Sequence, residues 1–174
     1  MNPVYSHLFN LVIVGAQKTG KTHFMNKLSN QICERYEPTI GVDFATKTVK
    51  CDSEKTAKIH VWDTSREERY DKITRSYFRG SHSFVIMFNI NQIESFEKCK
   101  KIIGEINEIA YGNPAVILIG NQIGENREVS FDEAVEFAYQ YNIAYYEVSG
   151  DMTDDAEIYL RKLVQLIFIN RENE

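Results

Sequence analysis

The chain has 174 residues, long enough for one domain with a real core and short for two. An apolar share of 43% beside a charged share of 26% is that of an ordinary globular protein and excludes a disordered or fibrous chain. The formal net charge of −5 argues against a nucleic-acid partner, because no basic excess is available to neutralise phosphates.

Along the chain, two periodicities alternate. Leu8 to Val14 is a short, almost wholly apolar run ending at Gly15, as expected of a strand buried on both faces. Residues 21 to 31 carry helical spacing through Phe24, Met25 and Leu28. Val42 to Lys50 and Ala57 to Trp62 alternate apolar and polar and read as a pair of strands. Phe84 to Ile90 and Ala115 to Ile119 are further buried strands. Between them, residues 94 to 110 place Phe96, Ile102, Ile103, Ile106 and Ile109 on one helical face. Ser130 with Glu133 three residues on reads as a capping box that opens a helix reaching to about Tyr141. Ile143 to Val148 is the last strand, and Asp154 to Asn170 a long amphipathic helix through Ile158, Leu160, Leu163, Val164, Ile167 and Phe168. Strand alternating with helix in this way predicts one α/β domain over residues 1–174, with helices on both faces of a sheet. Ligands of such sheets sit beyond the carboxyl ends of the strands.

Other function classes are disfavoured. No apolar run approaches the ~20 residues that span a bilayer. The opening Met1-Asn2-Pro3-Val4-Tyr5-Ser6-His7 lacks the basic-then-apolar order of a signal peptide. Cys33, Cys51 and Cys99 are scattered and odd in number, so they read as reduced thiols rather than a disulfide frame or zinc site. None lies near the C-terminus, so this chain encodes no prenylation signal. His7, His23, His60 and His82 do not cluster and read as structural or surface residues.

The chemistry begins where the first strand ends. Gly15-Ala16-Gln17-Lys18-Thr19-Gly20-Lys21-Thr22 is GxxxxGK[ST] between a strand and a helix, the context in which that motif binds phosphates. Backbone N–H groups and the positive end of the helix dipole would face a polyanion. Lys21 would reach the β- and γ-phosphates, and the Thr22 hydroxyl would ligate Mg2+.

Further on, Tyr36-Glu37-Pro38-Thr39-Ile40-Gly41-Val42-Asp43-Phe44 resembles the first switch of Rab proteins. Val61-Trp62-Asp63-Thr64, Glu68-Arg69-Tyr70 and Arg75-Ser76-Tyr77-Phe78-Arg79-Gly80-Ser81 are similar to the Rab second switch and the segment after it. The chain therefore resembles a Rab-like small GTPase of the Ras superfamily over nearly its whole length. That resemblance implies a P-loop G domain with a six-stranded, mostly parallel sheet. It implies guanine nucleotide (GTP or GDP) and Mg2+ as ligands, and a cytoplasmic switch in vesicle trafficking, peripheral to endomembranes through partners. Thr22, Thr39 and Asp63 become the metal residues, Asp63 as a Walker-B carboxylate acting through water. Phe44, Trp62 and Tyr77 become the aromatic trio offered to effectors, with exchange factors and GTPase-activating proteins as further partners.

The departures from the family pattern are equally specific. After Asp-Thr the family has Ala-Gly-Gln-Glu, whereas Thr64 is followed by Ser65-Arg66-Glu67-Glu68. Arg66 replaces the glycine whose N–H meets the γ-phosphate, and Glu67 replaces the glutamine that orients the attacking water. A carboxylate there faces a transition state that already spreads negative charge, so slow hydrolysis is expected, with Arg66 as a cis cation the alternative. The family reads guanine with Asn-Lys-x-Asp and Ser-Ala-Lys. Here Asn121 is kept, Gln122 replaces the lysine, Gly124 replaces the aspartate, and Ser149-Gly150-Asp151 forms the last loop, with Asp151 a candidate substitute carboxylate. Ile32 stands where an aromatic flanks the base. Weaker guanine affinity and poor discrimination from ATP follow. Three functions stay open at this point: a slow guanine-nucleotide switch, a pseudo-GTPase that only binds proteins, and a P-loop NTPase that also takes ATP.

Overall fold

In the computed structural model, residues 5–29, 35–36, 43–51, 55–64, 71–151 and 156–173 are described. Strand β1 (His7–Gly15) is rich in β-branched and large aliphatic side chains, and Leu11 to Gly15 are all buried. Its two faces serve two cores. Phe9, Leu11 and Ile13 point to one cluster, with Phe24, Met25 and Leu28 of helix α1 (Lys21–Ser29) and Leu160, Leu163, Val164 and Ile167 of helix α5 (Ala156–Glu172). Val12 and Val14 point to the other, with Phe78 closing α2 (Asp71–Phe78), Phe96, Ile102, Ile103 and Ile106 of α3 (Ile93–Ile109), and Ala134, Phe137 and Ala138 of α4 (Phe131–Gln140). Each such aliphatic or aromatic side chain contributes about 1.5–3 kcal/mol by leaving water. The expected α/β arrangement, with helices on both faces, is what forms.

The remaining strands are β2 (Arg35–Tyr36), β3 (Asp43–Lys50), β4 (Thr56–Asp63), β5 (Ser83–Asn89), β6 (Ala115–Gln122) and β7 (Ala144–Ser149). They lie in the order β2-β3-β4-β1-β5-β6-β7. β1 runs parallel to β4 and β5, and β5-β6-β7 continue in parallel. β3 pairs antiparallel with β4, and β2 with β3. The six expected strands are thus present, and a two-residue edge strand is added. From β1 the chain crosses to the β2 edge, comes back through β3 and β4 to one side of β1, and then continues through β5, β6 and β7 on its other side, so the loops after β1 and β5 part there and leave a crevice at their carboxyl ends.

Three local readings are refined. The Ser130 hydroxyl accepts the Glu133 N–H at 3.1 Å, the serine half of the predicted capping box, worth about 1 kcal/mol. α2 is a helix the sequence periodicity does not announce. Ile158, placed on the apolar face of α5, is exposed, while Phe168 packs edge-on against Phe9 at 5.4 Å.

Cys99 is wholly buried on the inner face of α3, its thiol 3.4 Å from the Ser95 carbonyl. Burial pushes its pKa up to about 12, against a smaller opposing pull from Lys21. The nucleophilic thiolate is therefore absent at ordinary pH. With Cys33 and Cys51 replaced by serine, maleimide at pH 8 is expected to leave the native protein unlabelled and to label it fully in denaturant. Labelling of the native protein at the rate of a free thiol would overturn this.

Candidate functional site

Gly15 ends β1 opposite Met87 of β5. Its φ is +146°, and a Cβ there would stand 2.1 Å from the Met87 carbonyl oxygen. That oxygen belongs to a central strand and cannot step aside. Gly15→Ala is expected to cost about 3 kcal/mol or more, and a thermal melt should show Tm lowered by at least about 6 °C. An unchanged Tm would contradict the close approach.

From Gly15 the chain turns through Ala16 to Gly20, with Lys18 at φ +57° and Gly20 at φ +95°. The Thr19 hydroxyl closes the loop by donating to the Ala16 carbonyl at 2.9 Å. Gln17 and Lys18 are exposed at the tip. α1 then starts at Lys21, and the first N–H groups of a helix have no partner within it. Lys21 is only 2% exposed; its ammonium donates to the Gly15 carbonyl at 2.8 Å and to that of Ala16. The loop thus encloses a cation together with a helix N-terminus, an arrangement made for a polyanion.

The neighbouring strand brings the acid. Asp63, the last residue of β4, pairs in register with Ile13 and is fully buried. The Thr22 hydroxyl donates to Asp63 Oδ2 at 2.9 Å. Thr64 fixes this strand end, its N–H and its hydroxyl both reaching the Ile13 carbonyl. A hydroxyl and a carboxylate, both hard oxygen donors, therefore meet beside the phosphate loop. That donor set fits Mg2+, which prefers one or two protein oxygens and keeps several waters. Among the described residues no cluster of three or more His, Cys, Asp or Glu offers an all-protein metal cage.

At the carboxyl end of β6, Asn121 is 1% exposed, and its amide donates to the Thr19 carbonyl at 3.1 Å. A carbonyl can only accept, so the nitrogen of Asn121 must face Thr19. Its Oδ1 is then left buried with no partner among the described residues. Gln122 is exposed. The loop after it is shaped by a residue that motif reading missed. Asn91, just beyond β5, accepts the N–H groups of Ile123 at 3.1 Å and Gly124 at 2.8 Å, and donates to the Asn126 carbonyl at 2.6 Å. Its only sequence signal is Asn89-Ile90-Asn91, turn-forming residues at a strand end. On the facing loop, the Ser149 hydroxyl donates to Asp151 Oδ1 at 2.6 Å, with Gly150 between them. The Asp151 carboxylate is therefore tied to its own loop.

On the outer surface, Phe44 and Trp62 meet with tilted rings at 4.4 Å between ring centres, and Trp62 and Tyr77 likewise at 5.2 Å. The three expected aromatics form one continuous, half-buried strip across β3, β4 and α2. Thr39, Arg66, Glu67 and Ile32 lie outside the described residues.

Comparison with known proteins agrees with this geometry. The sequence model of the Ras family matches residues 10–168. The chain is similar to Ras-related protein RABD2a of Arabidopsis thaliana, 37% identical over 160 residues that cover 90% of this chain and 78% of the relative. It is similar to GTP-binding protein YPT1 of Saccharomyces cerevisiae, 36% identical over 170 residues, 95% of this chain and 82% of the relative. Ras-related protein RabC of Dictyostelium discoideum is 31% identical over the same length, covering 95% and 87%.

Proposed function

This chain belongs to the Ras family, and on that premise we propose that it is a Rab-like switch in vesicle trafficking that holds GTP or GDP chiefly by the phosphates and Mg2+. The observation that carries the reading is the assembled set of Lys21, Thr22 and Asp63 at the carboxyl ends of β1 and β4. Lys21 binds phosphate oxygens as a point charge inside the loop. Thr22 and Asp63, joined by Thr39, hold the metal, and Mg2+ supplies neutralisation of the phosphate charge. Ser149 and Gly150 border the base opposite Asn121 and Gln122. Phe44, Trp62 and Tyr77 form the effector face, exchange factors and GTPase-activating proteins act on the switches, and partners hold the protein at endomembranes. No helix among the described residues is long and apolar enough to cross a membrane. Hydrolysis is slow, because Arg66 and Glu67 stand where the family has glycine and glutamine.

A second reading, tolerance of ATP, is favoured by Asn121 itself. An amide with an unpaired oxygen and a spare N–H is the group that pairs with the N6 amine and N7 of adenine. At Gly124 no carboxylate rejects that base.

Denaturing the purified protein and chromatographing what is released separates these readings. GDP or GTP near one per chain supports the switch. Equal thermal shifts with GTP and ATP support the relaxed base site. No nucleotide and no shift leaves a protein-binding pseudo-GTPase. For hydrolysis, single-turnover rates should rise when Glu67→Gln is combined with Arg66→Gly.

A further inference from the structure

At the pole of the sheet opposite the nucleotide loops, a cavity of about 330 Å³ opens where the turn after α2, the start of β5, the loop before β6 and the end of α5 meet. Arg79, His82, Tyr111, Asn113 and Arg171 contribute to its lining. Its volume lies at the lower end of the range for small-ligand sites, about 300–1,000 Å³. Both arginines line it, and among the described residues neither has a carboxylate within ion-pair distance. In a chain of net charge −5, two unneutralised cations bordering one cavity are unexpected.

The His82 imidazole, in the same lining, has a defined proton. The Asn10 N–H donates to His82 Nδ1 at 2.9 Å, so Nδ1 must be the acceptor and the proton sits on Nε2. Burial, aided by the nearby Arg171 charge, holds the His82 pKa below its usual value, which keeps the ring neutral with one N–H to offer. The ring is braced by Phe9, 5.5 Å away, and the Arg171 guanidinium lies 5.0 Å over that same Phe9. Arg79 also borders the adjoining groove, where Nε of Arg75 is buried with no partner among the described residues.

We infer that this cavity is a second anion site, built for a phosphate or phosphoryl group bound by Arg79 and Arg171 with the His82 Nε2–H as a neutral donor. Guanidiniums are the side chains best matched to phosphate oxygens, because their N–H forks bind two oxygens at once. The site is independent of the nucleotide loop and does not rest on the reading of that loop.

The test follows the His82 ring by NMR, a reporter that phosphate in the nucleotide loop does not touch. Titration with inorganic phosphate or pyrophosphate should move the His82 signals saturably. Arg79→Gln and Arg171→Gln should each weaken that binding about tenfold or more, and the double variant should abolish it, with Mg2+-nucleotide affinity unchanged. Parallel titrations with phosphatidylcholine vesicles, with and without 5% phosphoinositide, identify the source. A His82 response to free phosphate alone assigns a soluble ligand, and a response only to the phosphoinositide vesicles assigns a lipid headgroup. No His82 shift in either arm, or a shift that survives in the double variant, overturns the proposal.

Discussion

Replacing Lys21 by methionine is expected to lower the affinity for Mg2+-GTP by about 10²–10⁴-fold while leaving the protein folded. The magnitude follows from two charge-assisted hydrogen bonds to phosphate oxygens at about 1.5–3 kcal/mol each, with about 1.4 kcal/mol per decade. No other cation among the described residues is enclosed by the loop: Lys18 is exposed, the Thr19 hydroxyl is committed to the Ala16 carbonyl, and the backbone N–H groups carry no full charge. Stability should change little. Methionine reproduces much of the buried aliphatic stem, and the loss of two bonds to the Gly15 and Ala16 carbonyls is offset by no longer burying a charge. Calorimetry with Mg2+-GTP and a thermal melt read the two effects separately. An affinity within tenfold of the parent would mean that the loop amides alone grip the phosphates, and the central role given to Lys21 would be lost.

The second large effect is a gain. Gly124→Asp is expected to raise the preference for GTP over ATP by about 10²–10⁴-fold, since guanine N1 and N2 offer two N–H donors to a carboxylate and adenine offers none there. The backbone can take the change. A Cβ on Gly124 would lie 3.4 Å from Asn91 Cγ and 3.6 Å from its Oδ1, ordinary contact distances. Asn91 Oδ1, the nearest polar atom, is itself an acceptor of two backbone N–H groups and gives a new carboxylate nothing to bond, while the Asn91 amide N–H is directed to the Asn126 carbonyl. Adding Gln122→Lys should increase affinity further by covering the base. Competition between GTP and ATP for the purified variant reads the ratio directly. A folded variant with an unchanged ratio would show that the base lies elsewhere than beside this loop.

These two substitutions mark what the sequence makes legible. β1 is readable because burial on both faces demands an unbroken apolar run, and the phosphate loop because its glycines and lysine must keep fixed spacing. α4 is readable because Ser130 caps it. α2 is not, because eight residues with Ile73, Tyr77 and Phe78 among charges carry too little periodicity to be told from a loop. β2, at two residues, carries none. Ile158 reads as core because spacing marks a helical face without saying which margin of it the sheet covers. In the site, Lys21 and Thr22 announce themselves by the phosphate-loop motif, and Asp63 and Asn121 by resemblance to the family. Asn91 does not, since it acts on backbone 32 and 33 residues away, a relation only the folded register of β5 beside β6 creates. The aromatic strip was legible by resemblance, and its continuity depends on the antiparallel pairing of Phe44 with Trp62.

The bond from Asn121 to the Thr19 carbonyl spans 102 residues of chain. It fastens the carboxyl end of β6 to the loop after β1, so the two cannot drift apart independently. A change at position 121 is therefore expected to slacken the loop that encloses Lys21, whereas changes at the exposed Gln122 and Gly124 are not, and a mutational tolerance map of this rim should break sharply between that asparagine and its neighbours.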